Sequence, residues 1–270
     1  MNPAQMKTGI STACFFPQET IQAVKRLTEW KIPNIEVFFN TQSELKEDYI
    51  SRIMEMCDKA GTKVVSIHPF TSFAESLAFF SNYEGNRFED SLEYYRMYFR
   101  AAKQMGAKLL VFHGDSPKNM YFAAEQAYER IRTLDRLGWE EYGIRTAHEN
   151  VSWCKGRNPE YFVKLKEFYP EMTFVLDIKQ AIRSERNPAE YIEKLGNSIT
   201  HIHLSDNNVS LGKDCLPVGE GNMDIKGFLK LLKDSQFSGC VLEELYRTSF
   251  DSPEALRRSY EKLNEIIAGL

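Results

Sequence analysis

Short runs rich in β-branched and apolar residues alternate along the chain with longer stretches whose apolar positions recur at helical spacing. The pattern predicts strands over 7–15 (KTGISTACF), 34–40, 63–70, 108–115, 145–151, 173–179, 199–207 and 239–245. Helix-like segments lie between them, among them QETIQAVKRLTEW, EDSLEYYRMYFRAAKQMG, AAEQAYERIRTLDRLG and IKGFLKLLKDSQ, and SPEALRRSYEKLNEIIAG follows the last strand. Ser252 with Pro253 reads as an N-cap and first-turn proline, and Gly61, Gly106 and Gly196 sit where glycines end helices. No linker or low-complexity break interrupts the alternation, so one domain over residues 1–270 is expected. Eight β/α units in 270 residues match a (β/α)8 TIM barrel of the α/β class. An open doubly wound sheet is the alternative, weakened by the lack of a G-x-G-x-x-G turn after the first strand.

Composition narrows the function classes. Hydrophobic residues at 43% and charged residues at 27% describe an ordinary globular chain able to bury a core. With 34 basic against 38 acidic residues, a net charge of −4 and no basic tract, nucleic acid is not an expected partner. MNPAQMKTG has no apolar leader core, and no run approaches the roughly 18 apolar residues of a membrane span, so a cytoplasmic protein without a membrane partner is expected. The five scattered cysteines suit free thiols in a reducing compartment. A homo-oligomer is compatible with a sequence that carries no interface signature.

In a barrel the active site lies at the carboxyl ends of the strands. Six predicted strands end in or near His68, His113, Glu149, Asp177, His203 and Glu243. Convergence of these strand ends would crowd carboxylates and imidazoles into one cup, where a divalent cation is needed to neutralise them. An oxygen-rich donor set favours Mn²⁺ first, then Mg²⁺ or Co²⁺, over structural Zn²⁺. His68 and His113 are candidates to bind substrate oxygens, to hold a second ion, or to be satisfied strand-end histidines. Glu36 is a candidate for contact with substrate or with the groups that surround the site, or for a structural ion pair, and Trp153 for stacking on a ligand face or for loop packing. His201 is expected one layer deeper in the barrel and His148 outward toward the helices. The Gly219-Glu220-Gly221 loop precedes a helix starting near Asp224, whose amino end could carry a phosphate.

The motifs HPF (68–70), FHGD (112–115), HEN (148–150), LDIKQA (176–181), HIHLSDN (201–207), LPVGEGNMD (216–224) and VLEE (241–244) together resemble the xylose isomerase-like (AP endonuclease family 2) barrels, in particular the sugar phosphate isomerase/epimerase group. The resemblance implies a single metal held by Glu149, Asp177, His203 and Glu243, with Glu149 and Glu243 transferring protons through a cis-enediolate. Glu244 follows directly, but adjacent strand residues face opposite ways, so only one of the pair can enter the cup; family spacing favours Glu243. The implied substrate is a small keto sugar or related polyol. A keto-inositol dehydratase-type lyase, an endonuclease IV-like zinc phosphodiesterase and a catalytically silent binding barrel are the alternatives.

The sequence departs from the endonuclease pattern. Where those relatives place histidine and Asp-x-His ligands for a third zinc, this chain has Gln180 and the stretch Lys213, Asp214, Cys215. The loss of that site and the acidic charge balance disfavour the nuclease. The isomerase pattern also often has histidine at 180, so Lys179 or Gln180 is expected instead to donate a hydrogen bond to a substrate hydroxyl or carboxylate.

Overall fold

Every predicted strand forms, and all eight are shorter than expected at the carboxyl end, where the chain turns into caps and loops. The computed structural model describes residues 6–83 and 85–270. The stretch read for an export leader therefore lies partly, at residues 1–5, outside the described residues. The strands are β1 (Lys7–Ser11), β2 (Asn34–Phe38), β3 (Lys63–His68), β4 (Leu109–Phe112), β5 (Arg145–Glu149), β6 (Thr173–Asp177), β7 (Ile199–Leu204), β8 (Asp206–Asn208), β9 (Lys213–Leu216) and β10 (Cys240–Glu243). Eight of them close a parallel barrel in the order β1-β10-β7-β6-β5-β4-β3-β2, so the fold is a (β/α)8 barrel.

Two strand ends show how the shortening arises. Ser11 Oγ accepts the amide of Ala13 and starts a 3-10 turn over Thr12–Phe15, where the predicted strand had continued. Asp177 caps helix α7 (Ile178–Arg183) by accepting from Gln180 N at 2.9 Å. The predicted seventh strand likewise stops at Leu204; Asp206–Asn208 instead pairs antiparallel with Lys213–Leu216 in a small excursion over the mouth.

The outer helices form on the predicted periodicity: α1 (Thr20–Glu29), α2 (Glu47–Ala60), α3 (Glu75–Phe80), α4 (Arg87–Met105), α5 (Ala124–Tyr142), α6 (Pro159–Phe168), α8 (Pro188–Leu195), α9 (Ile225–Asp234) and α10 (Pro253–Ala268). Ser252 Oγ accepts from Ala255 N at the start of α10. Leu110 and Phe112 of β4 face the helices and join the main core, whereas Leu109 and Val111 join Ala147 and Val175 in a separate buried cluster within the barrel. That cluster lies in the layer below Glu149 and Asp177, since side chains two apart on a strand share a face. Burial of each such large apolar side chain stabilises the fold by roughly 1.5–3 kcal/mol.

Candidate metal centre and active site

The cup is built from the last inward-facing position of successive strands. Glu149 ends β5, Asp177 ends β6, His203 precedes the last residue of β7, and Glu244 follows β10 directly. Ligand atoms of these four all lie within 4.8 Å of one another. His203 Nδ1 is 3.0 Å from Glu149 Oε1 and 2.7 Å from Glu244 Oε2, and 3.8 Å from Asp177 Oδ2. Asn150 locks β5 to β6 beside them, its side chain accepting from Asp177 N at 2.6 Å and donating to Asp177 O at 2.9 Å.

The expected Glu243 is not in this set. In the parallel ladder Leu242 is registered with His203, so the inward positions of β10 are Leu242 and then Glu244. Glu243 turns outward to α10, where Ser259 Oγ donates to its Oε1 at 2.7 Å. Burial, only partly offset by that hydrogen bond, pushes its carboxyl up to about 8. An outward neutral acid cannot serve the cup, and Glu244 takes the place given above to Glu243.

A second cluster shares Glu149. His113 Nε2 lies 2.9 Å from Glu149 Oε2 and 3.1 Å from His68 Nε2, and His68 Nε2 lies 3.6 Å from Glu149. Both histidines therefore stand at the wall of the cup where substrate oxygens or a second ion could be met. Glu75 of α3, which no sequence signal singled out, accepts the backbone amides of His113 at 2.6 Å and Gly114 at 2.8 Å. Gly114 itself has φ +81°, and a Cβ there would come within 2.4 Å of His148 Nε2.

Glu36 is fully buried against His203, and of the roles expected of it, contact with the groups around the site and a buried ion pair are the ones it fills. Its Oε2 lies 3.3 Å from His203 Nε2, and it accepts from Ser11 Oγ at 3.0 Å and Ser66 Oγ at 2.8 Å. A carboxylate on Nε2 leaves Nδ1 directed at the three other carboxylates, the orientation a metal-ligating imidazole needs.

Lys179 is also placed differently from expectation. It is 3% exposed, and its ammonium donates to Asp177 Oδ2 and, at 2.9 Å, to Glu244 Oε2. Gln180 is tied down as well: its side-chain oxygen accepts from Ser152 N at 3.1 Å, so it braces the loop that carries Trp153. Trp153 is half-exposed at the mouth, its ring 5.7 Å from that of His113. Tyr246, two residues beyond Glu244 and in phase with it, sets its ring 5.6 Å from Lys179 Nζ.

The charges are strongly interdependent. Burial disfavours the ionised Glu149 carboxyl, but hydrogen bonds from His113, His203 and His68 outweigh it and hold the group well below the usual carboxylate range. Glu244 is likewise lowered against burial by Lys179 and His203. Burial raises Asp177 to about 7, with Lys179 opposing and the Glu149 and Glu244 charges reinforcing. His203 is raised well above the ordinary imidazole value because Glu244, Glu36 and Glu149 overcome its burial. For His113 burial wins over Glu149 and the group is lowered.

The remaining expected positions resolve simply. His148 is buried outward against Phe162 and Tyr161. His201 lies one layer below His203, its Nδ1 on Thr200 O. Asp214 pairs with Arg183 and Cys215 is buried, so the endonuclease third-site positions do not converge. In the 216–224 loop the amides of Gly219, Gly221 and Met223 all donate to the Asp206 carboxylate, at 3.0, 3.0 and 3.1 Å. Asp206 thus occupies the loop amides that a phosphate would need. Among the described residues no helix is long and apolar enough to cross a membrane.

Three oxygen donors and one imidazole, with the imidazole fixed from behind by Glu36, fit a hard divalent ion. The family described as xylose isomerase-like TIM barrel matches residues 24–266. No protein of curated function matches the sequence. Among solved structures, a D-tagatose 3-epimerase-like protein superposes with a TM-score of 0.79 at 24% identity, covering 97% of each chain. D-psicose 3-epimerase from Clostridium cellulolyticum H10, solved with D-tagatose, gives 0.75 at 14% identity over 98% of this chain and 99% of that one. The IOLI protein, described with a bound zinc atom, gives 0.74 at 18% identity over 98% and 97%. These likenesses concern the fold.

Proposed function

Because the chain belongs to the xylose isomerase-like TIM-barrel family, we propose that it is a divalent-metal-dependent isomerase or epimerase of a small keto sugar or related polyol. The observation that carries this reading is the convergence of Glu149, Asp177, His203 and Glu244 ligand atoms within 4.8 Å at the carboxyl ends of the barrel strands. Mn²⁺ is the preferred ion on the chemistry of the donors. When bound, it supplies a Lewis acid that polarises the substrate carbonyl and lowers the cost of removing the neighbouring proton.

The chain's own residues do the rest. Glu149 and Glu244 transfer the proton on and off the carbon beside the carbonyl through a cis-enediolate, one from each side. Asp177 and His203 hold the ion, and Glu36 keeps His203 in the tautomer and orientation that this requires. His68 and His113 donate to sugar oxygens, and Trp153 covers an apolar sugar face at the mouth.

The test is deuterium incorporation. Protein loaded with Mn²⁺ is incubated in D₂O with a panel of ketoses, ketose phosphates and keto-polyols, and label beside the carbonyl is followed by NMR. Exchange that Glu149→Gln or Glu244→Gln abolishes supports the proposal. Absence of exchange with every member of the panel, alongside nicking of abasic duplex, would overturn it in favour of a phosphodiesterase.

A further inference from the structure

Asp177 Oδ2 and Glu244 Oε2 each serve two candidate cations. They are within reach of His203 Nδ1, at 3.8 and 2.7 Å, where an ion held by the four ligands would draw on them. The same two oxygens also accept from the ammonium of Lys179. Lys179 is 3% exposed, in the first turn of α7 only two residues beyond Asp177, so the short connection keeps its charge at the cup. A buried ammonium is costly unless paired, and these carboxylates are its hydrogen-bonding partners.

From this geometry we infer that Lys179 is a built-in counter-ion that competes with the divalent ion for Asp177 and Glu244. Without an ion, the carboxylates of Glu149, Asp177 and the slightly exposed Glu244 repel one another, and the ammonium, alongside the His203 imidazole, offsets that repulsion and holds them in position. When a divalent ion takes the same oxygens, the lysine loses hydrogen bonds and two like charges are brought together in a poorly solvated cup. Both effects weaken ion binding relative to a site with a neutral residue at 179. The Tyr246 ring, 5.6 Å from Nζ, also carries the Arg183 guanidinium at 4.8 Å, so a displaced ammonium meets a second cation there. Lys179 therefore sets the ion concentration at which the centre fills and stabilises the ion-free cup. This inference rests on reading the four ligands as a metal centre.

The experiment measures ion binding alone. Full-length protein, stripped with a chelator, is titrated with Mn²⁺ by equilibrium dialysis and calorimetry, together with the unbranched Lys179→Met and the polar, hydrogen-bonding Lys179→Gln. Asp177→Asn identifies the site being titrated, because it removes one of the four ligands. The expected result is Mn²⁺ binding at least about tenfold tighter in both neutral variants, equivalent to about 1.4 kcal/mol. The ion-free variants should also melt lower than the parent and recover more on adding Mn²⁺. Should Lys179→Met fail to fold without the ion, Lys179→Gln carries the affinity measurement. Equal or weaker Mn²⁺ binding in the neutral variants overturns the counter-ion role while leaving the metal centre intact. If neither parent nor variants bind Mn²⁺, the metal centre and this inference fall together.

Discussion

Glu243 and Glu244, consecutive in sequence, lie on opposite sides of the barrel wall: Glu243 Oε1 accepts from Ser259 Oγ at 2.7 Å outside, and Glu244 Oε2 lies 2.7 Å from His203 Nδ1 inside. Two carboxyls with the same covalent structure are thereby given opposite tasks by a single step along a strand. One is a neutral acid among helices. The other is an ionised member of the cup.

This division predicts opposite outcomes for two identical substitutions. Glu244→Gln should lower carbonyl-adjacent deuterium exchange by at least about 10²-fold, the usual worth of a proton-transfer group, and weaken Mn²⁺ binding. Glu243→Gln, which keeps the shape and the Ser259 hydrogen bond, should leave both nearly unchanged. Exchange kinetics and dialysis on the two purified variants provide the check; a reversed order of effects would return Glu243 to the site.

The same residue pair shows what could be read in the sequence. Asp177 and His203 were legible because each closes an apolar run at a strand end, and the barrel rule then converts strand ends into one locus. The choice between Glu243 and Glu244 was not legible. Val241, Leu242 and Glu243 are buried on both faces and Glu244 is nearly so, apolar and polar positions do not alternate, and only the register of Leu242 against His203 reveals which residue faces in. The in-phase series Leu242, Glu244, Tyr246 was a usable signal, since Tyr246 stands beside Lys179. Glu75 and Glu36 act through hydrogen bonds whose partners are 20 or more residues away in sequence, a kind of contact that no local pattern encodes. The break between Leu204 and the Asp206–Asn208 excursion is a single residue, Ser205, with no glycine or proline to mark it, so the sequence reads as one continuous strand.

Buried Glu243 also predicts a pH dependence of stability. Its carboxyl, ordinarily near 4.5, titrates at about 8 in the folded protein because burial penalises the charge. Between those values the unfolded chain has released the proton that the folded chain keeps, so the folded state binds more protons and stability falls as pH rises. The loss begins above 4.5, grows by at most about 1.4 kcal/mol per pH unit, and levels off above 8. Chemical denaturation at intervals from pH 5 to 8 should therefore give a shallower decline for Glu243→Gln than for the parent. Parallel curves would show that Glu243 ionises freely in the folded protein.

Glu36 offers a test of how the imidazole is held. It lies outside the ligand set, yet its Oε2 is 3.3 Å from His203 Nε2, and Ser11 and Ser66 fix it in place. Replacing it with glutamine keeps the volume but removes the charge that supports the proton on Nε2, so His203 becomes a poorer ligand through Nδ1. Mn²⁺ affinity should fall by about 10–100-fold, as for other groups that orient metal-bound histidines. Thermal unfolding of the ion-free protein separates this from a general packing defect: an affinity loss with a nearly unchanged melting point supports orientation, whereas an unchanged affinity removes Glu36 from the metal centre.

Asp206 governs the loop that follows β9. Its carboxylate collects the amides of Asn207, Gly219, Gly221 and Met223, and at Gly221 a Cβ would meet Asn207 O at 2.3 Å, so the loop is wrapped closely around one anion supplied by the chain itself. Because those donors are already satisfied, a phosphate group on the substrate gains nothing there, and phosphorylated and free forms of a productive sugar should show similar KM. Asp206→Ala leaves the buried amide of Asn207 and the part-buried amides of Gly221 and Met223 without this partner, at about 1–3 kcal/mol for each one that water cannot reach. The variant should melt well below the parent and, where it remains folded, should gain affinity for inorganic phosphate at the vacated amides. A parent protein that binds inorganic phosphate through this loop, detected by shifts of the Gly219 and Gly221 amide resonances on phosphate titration, would show instead that the Asp206 carboxylate yields its place to an incoming anion.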